Sequence, residues 1–286
     1  MSKFLDRLLK KGPLVPVLRM SGIIGSSTPL RPGLSIATLA SPLDRAFAMA
    51  ADGTVAIQIN SPGGSAVQSR LVFQRIRDLA REKNVRVYIF AEDVMASGGY
   101  MIACAGDEIY ADPSSIVGSI GVLYASFGLV EAIQKIGVER RVHTAGEKKM
   151  ALDMFQPENP DDIARLKEIQ RVIHREFIDL VRERRGRKIE AQGDNLFTGE
   201  FWSGRQALEL GLVDGIMDLR TKMRELHGEK VRLRLVSAER GLLRRWLPGG
   251  TGSALDASMA RPAAMSIADD VISAIEARAI WARFGF

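Results

Sequence analysis

The sequence is poor in the residues that build metal sites and disulfides. Its 286 residues include one cysteine, Cys104, and three histidines. A single cysteine excludes an intrachain disulfide and a thiolate metal cluster, and it fits a reducing compartment. The sequence has no paired histidine or carboxylate pattern and no phosphate-loop or dinucleotide fingerprint. We therefore expect no metal and no cofactor, and we expect Cys104 to be a buried, inert thiol.

Long apolar runs are also missing. Charged residues such as Asp6, Lys10 and Arg19 interrupt the N-terminal stretch, and serines and glycines interrupt the longest uncharged run, Pro113–Val130. A membrane-spanning helix needs about 20 consecutive apolar residues, so the sequence predicts neither a transmembrane segment nor a signal peptide. We expect a cytoplasmic protein. Residues Lys3–Lys11 fit a short amphipathic helix, which leaves peripheral membrane contact as an alternative to packing on the protein itself.

The charge is unevenly distributed. The formal net charge is +6, while 46% of the residues are hydrophobic and 26% are charged, a balance typical of a globular protein. The excess of positive charge lies mainly in the stretches Arg182–Lys188 and Lys230–Arg245. We interpret both as solvated faces, with an acidic partner or an anionic lipid surface as the alternative. No nucleic-acid partner is expected.

Strand-like and helix-like runs alternate along the chain. The runs "LVPVLRMSG", "TVAIQIN" and "VRVYIF" are rich in β-branched residues. Between the last two, residues 65–84 repeat apolar side chains at helical spacing. Strand, helix and strand in this order predict an α/β fold with a mostly parallel sheet. Further strands are expected at "DEIYADP", at "SIVGSIGV" and at "ERRVHTAG", residues 139–146, with a helix near Val130–Ile136.

The second half of the chain predicts a long helix and a tail. Asn159 can cap a helix that has Pro160 in its first turn and continues to Gly186. A shorter helix over Gly204–Leu210 and a short strand should follow. Beyond Trp246 the sequence becomes rich in Pro, Gly, Ser and Ala. We therefore expect one domain over residues 1–245 and a linker with a C-terminal tail over residues 246–286, the tail ending in a helix over residues 267–284.

A serine and two glycine-rich turns indicate a catalytic site. Ser97 stands between a predicted strand and a helix, where backbone N–H groups are free. Gly63 and Gly64 follow the preceding parallel strand, so both turns should meet at one edge of the sheet. The N–H of Gly98 and that of Gly63 or Gly64 can then form an oxyanion hole. Helix capping and tight turning are the structural alternatives for these residues.

Apolar residues near Ser97 suit a peptide-binding surface. Met95, Val122 and Leu123 flank the predicted site, and Tyr100 either lines a substrate groove or packs beneath the site as a core residue. A serine nucleophile also needs a base within hydrogen-bond reach. His143, on the predicted strand 139–146, is the histidine candidate.

Four segments carry a resemblance to a known family. In order along the chain they are "INSPGG", "MASGGYMIACAGDEIYADPSSIVGSIGV", "GEKKMALDMFQPENPDD" and "GRQALELGLVDGI". Together they resemble the signal peptide peptidase A family of serine peptidases. The resemblance implies a Clp/crotonase-like fold of repeated strand-strand-helix units with a mostly parallel sheet, and a homo-oligomer.

The resemblance also implies a serine–lysine dyad. Ser97 matches the nucleophile, Lys149 matches the lysine that acts as base, and Ser119 matches the serine that helps to hold the lysine amine. Lys148 is the rival base. A lysine with a pKa near 10.4 is almost entirely charged at neutral pH, and lowering that pKa by about three units costs roughly 4 kcal/mol. Burial in a dry pocket can supply this shift.

We therefore expect a serine endopeptidase that cleaves extended, largely apolar peptides such as signal-peptide remnants. Two alternatives remain open. A crotonase-like acyl-CoA enzyme shares the expected fold but usually needs carboxylates near the reacting carbon, and the nearest, Glu92 and Asp93, are expected to face solvent. A catalytically inactive assembly protein is the other alternative.

Overall fold

The protein has a mixed α/β fold built around one largely parallel sheet. The computed structural model describes residues 12–25, 33–146, 148–237, 275 and 278–286. Within them the sheet has eight strands, and its main path runs β6-β5-β3-β2-β1-β8. The strands are β1 (Leu14–Ser21), β2 (Thr54–Ser61), β3 (Arg86–Ala96), β4 (Glu108–Ala111), β5 (Ile116–Gly118), β6 (Phe201–Ser203), β7 (Gly215–Ile216) and β8 (Arg232–Leu235).

The helices pack around this sheet or extend from it. They are α1 (Ile36–Met49), α2 (Ala66–Lys83), α3 (Gly98–Ala103), α4 (Val130–Lys135), α5 (Pro160–Arg185), α6 (Gly204–Glu209) and α7 (Leu219–His227). The Asn159 side chain accepts a hydrogen bond from Asp161 N at the start of α5, as the capping pattern predicts. Helix α5 ends at Gly186, which has a φ of 49°.

Strand β3 divides the sheet and thereby positions the site. Its first half pairs with β4 at residues 88–90, and its second half pairs with β5 at residues 94–96. Both pairings are parallel, whereas β5 and β6 are antiparallel. Because β5 takes over at the end of β3, the residue that follows β3 lies beside the residue that follows β5. These residues are Ser97 and Ser119.

The core lies between the sheet and helices α1, α2, α3 and α5. Residues Ile57, Ile89 and Met95 from the central strands are fully buried within it. The predicted α/β class, the mostly parallel sheet and the long helix are confirmed. The parallel order of β1, β2 and β3 follows from the strand and helix alternation, because each connection crosses over through a helix.

One sequence-based expectation needs correction, and two elements of the structure were not predicted. The segment 139–146 is not a strand: it is exposed and makes no ladder with any described strand, and a strand without a partner leaves its backbone groups unpaired. Residues 201–203, for which the sequence predicts no strand, form edge strand β6. Helix α1 was not predicted, although Ser35 and Thr38 form a capping box at its start.

Part of the sequence-based assignment cannot be compared with the structure. The amphipathic segment Lys3–Lys11 and the linker that begins near Trp246 lie outside the described residues. Of the helix expected over residues 267–284, the described residues 275 and 278–282 are helical.

Candidate active site

Ser97 has a strained backbone at the turn between β3 and α3. Its φ of 51° and ψ of −121° are uncommon for a residue with a side chain. Hydrogen bonds on both sides hold this conformation: Ser97 N donates to Gly118 O over 2.8 Å, and Met101 N donates to Ser97 O over 2.9 Å. Strain of this kind costs about 1–3 kcal/mol and concentrates at functional sites. The same strand–turn–helix geometry presents the serine of a nucleophile elbow.

The glycine turn after β2 packs directly against Ser97. A Cβ atom added to Gly63 would lie 2.7 Å from Ser97 Cβ and 2.9 Å from Gly98 N. Gly63 also has a φ of 102°, so this position requires glycine for its conformation and for the close approach. Gly64 has a φ of 141° and is packed against Ile24 O. The two turns that the sequence predicts at one sheet edge therefore meet there.

A cavity of about 370 Å³ opens at Ser97. Ser97, Gly98 and Gly64 lie in its wall, together with Val122 and Leu123 from the chain after β5. Its remaining lining is mostly apolar and comes from several elements: Pro62, Ser65, Ala66, Met101, Gly121, Ile173, Phe177, Ile280 and Arg283. The cavity is of the size of a small-ligand or side-chain pocket.

Met95 and Tyr100 do not line this cavity. Both side chains are fully buried in the core. The Tyr100 hydroxyl donates to Leu212 O over 2.8 Å, and burial raises the pKa of Tyr100 well above its ordinary value. Met95 faces inward because it alternates with Val94 and Ala96 on β3. These two residues therefore support the Ser97 turn from beneath.

Ser119 lies beside Ser97 and resembles it in conformation. It has a φ of 52° and is 5% exposed, and Ser119 N donates to Glu200 O over 2.6 Å. Its neighbour Gly118 is the residue whose carbonyl accepts from Ser97 N. Within the described part of the chain, the hydroxyls of Ser97 and Ser119 make no hydrogen bond, so both are available to other groups.

Lys149 lies away from this cavity in the single chain. Its side chain is exposed, and its backbone N donates to Gly146 O over 3.2 Å in a turn. Lys148 is exposed as well and lines a different cavity, with Tyr124 and Asp153. Among the described residues from 121 to 176, none is buried. The lysine pair therefore belongs to a long section of chain without a core of its own.

None of the three histidines lines the Ser97 cavity. His143 is exposed, and His227 Nε2 lies 3.1 Å from Thr54 Oγ1. His174 Nε2 donates to Ile120 O over 3.1 Å and so attaches α5 to the residue after Ser119. That contact was not predicted, since His174 carries no sequence signal beyond its position within a helix.

The other reactive groups near the site are buried or paired. Burial raises the pKa of the Cys104 thiol to about 12, which agrees with an inert cysteine. Arg19 binds Glu92 through two nitrogens, and Asn60 donates to Asp93. Glu92, expected to face solvent, is thus partly buried in an ion pair. In the described ranges no cluster of His, Cys, Asp and Glu is suited to a metal ion.

Sequence reasoning missed every residue of the cavity wall that comes from elements distant from the Ser97 and glycine turns. Ile173 and Phe177 come from α5, and Ile280 and Arg283 come from the segment 278–286. The apolar periodicity of α5 indicates which side chains face the body, but it does not indicate which of them reach Ser97. Ile280 and Arg283 are separated from Ser97 by most of the chain.

Comparison with known proteins gives a family and several relatives. A family model described as "Peptidase family S49" matches residues 79–232. A Brucella abortus (strain 2308) protein named "Na(+)/H(+) antiporter NhaA" is 54% identical over 276 residues, covering 95% of this chain and 37% of that protein. A "Probable protease SohB" of Buchnera aphidicola subsp. Schlechtendalia chinensis is 30% identical over 214 residues, covering 73% of this chain and 65% of that protein.

The chain thus spans 37% of the length of its Brucella relative, and most of the protein that carries the antiporter name lies outside the match. Across the described residues, no helix combines the length and the apolar character needed to cross a bilayer.

A solved structure of the "1510-N membrane-bound stomatin-specific protease", a lysine-to-alanine mutant in complex with a substrate peptide, aligns with a TM-score of 0.48 at 15% identity. It covers 79% of this chain and 93% of that chain.

Proposed function

This chain belongs to peptidase family S49, and from that premise we propose that it is a serine endopeptidase with a Ser97–Lys149 dyad. The proposal includes extended, largely apolar peptides as substrates. Signal-peptide remnants are one such class, and the protease name of the SohB relative agrees with peptide hydrolysis.

One observation carries the proposal. The Ser97 hydroxyl stands on a strained strand-to-helix turn in the wall of a cavity, with Gly63 and Gly98 packed against it. A serine placed only for capping or packing would not need a positive φ, because capping serines have ordinary extended backbones. A nucleophile benefits from the strain because the sharp turn exposes its hydroxyl and brings backbone donors close.

The chemistry would be acyl transfer. The Ser97 oxygen attacks the peptide carbonyl while the Lys149 amine accepts the hydroxyl proton. The N–H groups of Gly98 and Gly64 stabilise the oxyanion. Gly63, also expected to donate, instead directs its N–H to Ser61 Oγ over 3.2 Å. Lys149 then passes the proton to the leaving amine as the C–N bond breaks. Water next attacks the acyl carbon while Lys149 accepts its proton, and Lys149 returns that proton to the Ser97 oxygen as the ester bond breaks. Ser119, unpaired beside Ser97, would orient the lysine amine.

Lys149 needs a drier environment than the single chain gives it. We propose that a homo-oligomer supplies this environment by covering the described residues from 121 to 176, which we call the exposed segment. Large apolar side chains that this segment exposes support this idea, since extensive exposed apolar surface marks an interaction site. Among them are Leu123, Tyr124, Phe127, Ile136, Val138, Val142, Met154, Ile169 and Val172. Desolvation in the assembly would favour the neutral amine.

Peptide hydrolysis by matched variants tests the dyad. We expect Ser97→Ala and Lys149→Ala each to reduce cleavage of a fluorogenic apolar peptide by at least about a thousandfold, because nucleophile and base act as a unit. Lys148→Ala is the matched control and should retain most activity. Circular dichroism and the oligomeric state check that each variant folds and assembles. Near-normal cleavage by Lys149→Ala would contradict the assignment of the base.

The crotonase-like alternative lacks support at the site. Glu92 is bound to Arg19 and Asp93 to Asn60, and neither carboxylate lies in the wall of the Ser97 cavity. Calorimetric titration with an acyl-CoA separates this alternative from the peptidase, which should give no binding heat.

A further inference from the structure

A distant segment of the chain completes the wall of the Ser97 cavity. Ile280 and Arg283, from the segment 278–286, line the cavity together with Ser97. Between residues 237 and 278 the structure describes residue 275 alone, so the contact is made by a part of the chain far from the rest of the site. The segment therefore adds side chains to the cavity that the sheet and its helices do not provide.

Phe284 holds this segment against the sheet beside the nucleophile. Its side chain is 5% exposed and packs with Val94 and Ala96, the residues of β3 that lead to Ser97. The Phe284 ring also meets Phe201 of β6 edge-on, with 5.1 Å between ring centroids. Arg283 is adjacent to this buried residue, so its backbone position is fixed relative to Ser97.

Arg283 brings the only charge among the described residues that line the cavity. The Arg283 side chain is exposed, and it makes no ion pair with a described residue. Its guanidinium carbon lies 5.8 Å from the centroid of the Phe284 ring. No carboxylate shares the cavity wall to neutralise it. An unpaired guanidinium at the edge of an apolar cavity is suited to a planar anion, because it can donate two parallel hydrogen bonds to a carboxylate.

We propose that Arg283 is a specificity-determining residue that binds a carboxylate of the peptide substrate. The proposal rests on the peptidase function proposed above. The apolar walls hold aliphatic side chains, while Arg283 selects peptides that present a carboxylate at a fixed distance from the bond that Ser97 attacks. That carboxylate comes either from an acidic side chain or from the free end of a short peptide.

Binding to an inactive enzyme tests the proposal separately from catalysis. In the Ser97→Ala protein, fluorescence anisotropy measures the affinity for labelled, leucine- and alanine-rich peptides in matched forms. One pair has a glutamate or a glutamine in the sequence, and the other has a free or an amidated C-terminus. A charge-assisted hydrogen bond predicts about tenfold tighter binding of the carboxylate form in at least one pair.

Two variants decide whether Arg283 causes that preference. Adding Arg283→Gln should reduce the preference to about twofold or less, and Arg283→Lys should restore part of it. Arg278→Gln is the matched control, since Arg278 is exposed in the same segment, 278–286, but does not line the cavity. It should leave the preference unchanged.

The outcomes separate this proposal from the peptidase assignment. Equal affinity for all four peptides, or a preference that survives Arg283→Gln, overturns the role of Arg283. A wild-type protein that cleaves no peptide overturns the peptidase assignment instead. An Arg283→Gln enzyme that cleaves every peptide faster by the same factor would show that the segment covers the site rather than selecting substrates, and would also overturn the proposal.

Discussion

At the scale of single residues, the backbone of Ser97 carries the argument. A positive φ at a residue with a side chain is maintained only when surrounding contacts enforce it. Here the enforcing contacts are the hydrogen bond to Gly118 O and the close approach of Gly63. The protein therefore loses stability at the position where it places a hydroxyl in a cavity, which is typical of a site selected for activity.

This strain gives a prediction that separates function from stability. Ser97→Gly and Ser97→Ala should both be inactive, but the glycine variant should be more stable by about 1 kcal/mol, because glycine adopts a φ of 51° without strain. The relief exceeds the entropy that glycine adds to the unfolded chain. Urea unfolding of the two variants measures the difference. A glycine variant less stable than the alanine variant would contradict a strained Ser97.

The sequence predicted Ser97 and the glycine turns because the local turn pattern and the order of the strands both indicate the same edge of the sheet. A serine and glycines at the ends of successive parallel strands must lie at one edge of the sheet, and they do. The burial of Met95 and Tyr100 was harder to foresee. Met95 lies near the end of a strand and Tyr100 in the first turn of a helix, and at either position a side chain is close to the site whether it points into the core or into the cavity. Burial there depends on contacts such as Tyr100 with Leu212, more than a hundred residues along the chain.

At the scale of elements, helix α5 connects the site to the sheet. Its C-terminal end is anchored by Arg185, whose side chain is 3% exposed and donates to Asp214 and to Gly211 O. Its middle turns carry Ile173 and Phe177 to the wall of the cavity. Burial raises the pKa of the Asp214 carboxyl, but the hydrogen bond and charge of Arg185 and the contact with Lys188 outweigh burial and lower it.

This ion pair predicts a pH dependence of stability. Because the pKa of Asp214 is lowered in the folded state, its contribution is present above the unfolded pKa near 4 and is lost as the pH falls through the folded pKa. Asp214→Asn should therefore flatten the loss of stability below about pH 4. It should also lower the free energy of unfolding at pH 7 by about 3 kcal/mol, since Arg185 is left buried without its partner.

A surface pair on the same helix is the control for this prediction. Asp194 pairs with Arg182 of α5, and its side chain is 87% exposed. Asp194→Asn should change the free energy of unfolding by less than about 1 kcal/mol and leave its pH dependence unchanged. Urea unfolding curves at several pH values measure both variants. The same acid slope in wild type and Asp214→Asn would show that the buried pair does not contribute as argued.

The elements that sequence reasoning missed or misassigned share a physical cause. Segment 139–146 has β-branched residues, but strand formation needs a hydrogen-bonding partner that the pattern cannot supply. Strand β6 is short and pairs at an edge, so its three residues carry too little periodicity to be recognised. Long helix α5 was predicted with its cap because its signals are local.

At the scale of the whole molecule, the described residues from 121 to 176 form a section with no buried residue. Such a section cannot stabilise itself by burial, and it contains the lysine that the proposed chemistry requires. The single-chain structure and the dyad are reconciled if another copy covers this section. The sequence could not reveal this, because apolar residues that pack on a partner and those that pack internally have the same pattern.

Assembly is therefore expected to be necessary for activity. Phe127→Lys places a charge on a 63% exposed phenylalanine of the exposed segment. It should shift the protein towards monomers and reduce peptide hydrolysis by at least about tenfold, because a charge buried at an interface without a partner is costly. Leu226→Lys, at a 41% exposed position on α7, is the control. Light scattering after size exclusion measures the assembly, and a fully active wild-type monomer would contradict this requirement.

The most direct test of the central claim is the rate at which a fluorophosphonate probe modifies the protein, followed by intact mass and peptide mapping. We predict one adduct, on Ser97, formed at similar rates in wild type and Lys148→Ala and at least about a hundredfold more slowly in Lys149→Ala. An adduct on another serine, or a wild-type rate in Lys149→Ala, would contradict the claim that Lys149 activates Ser97.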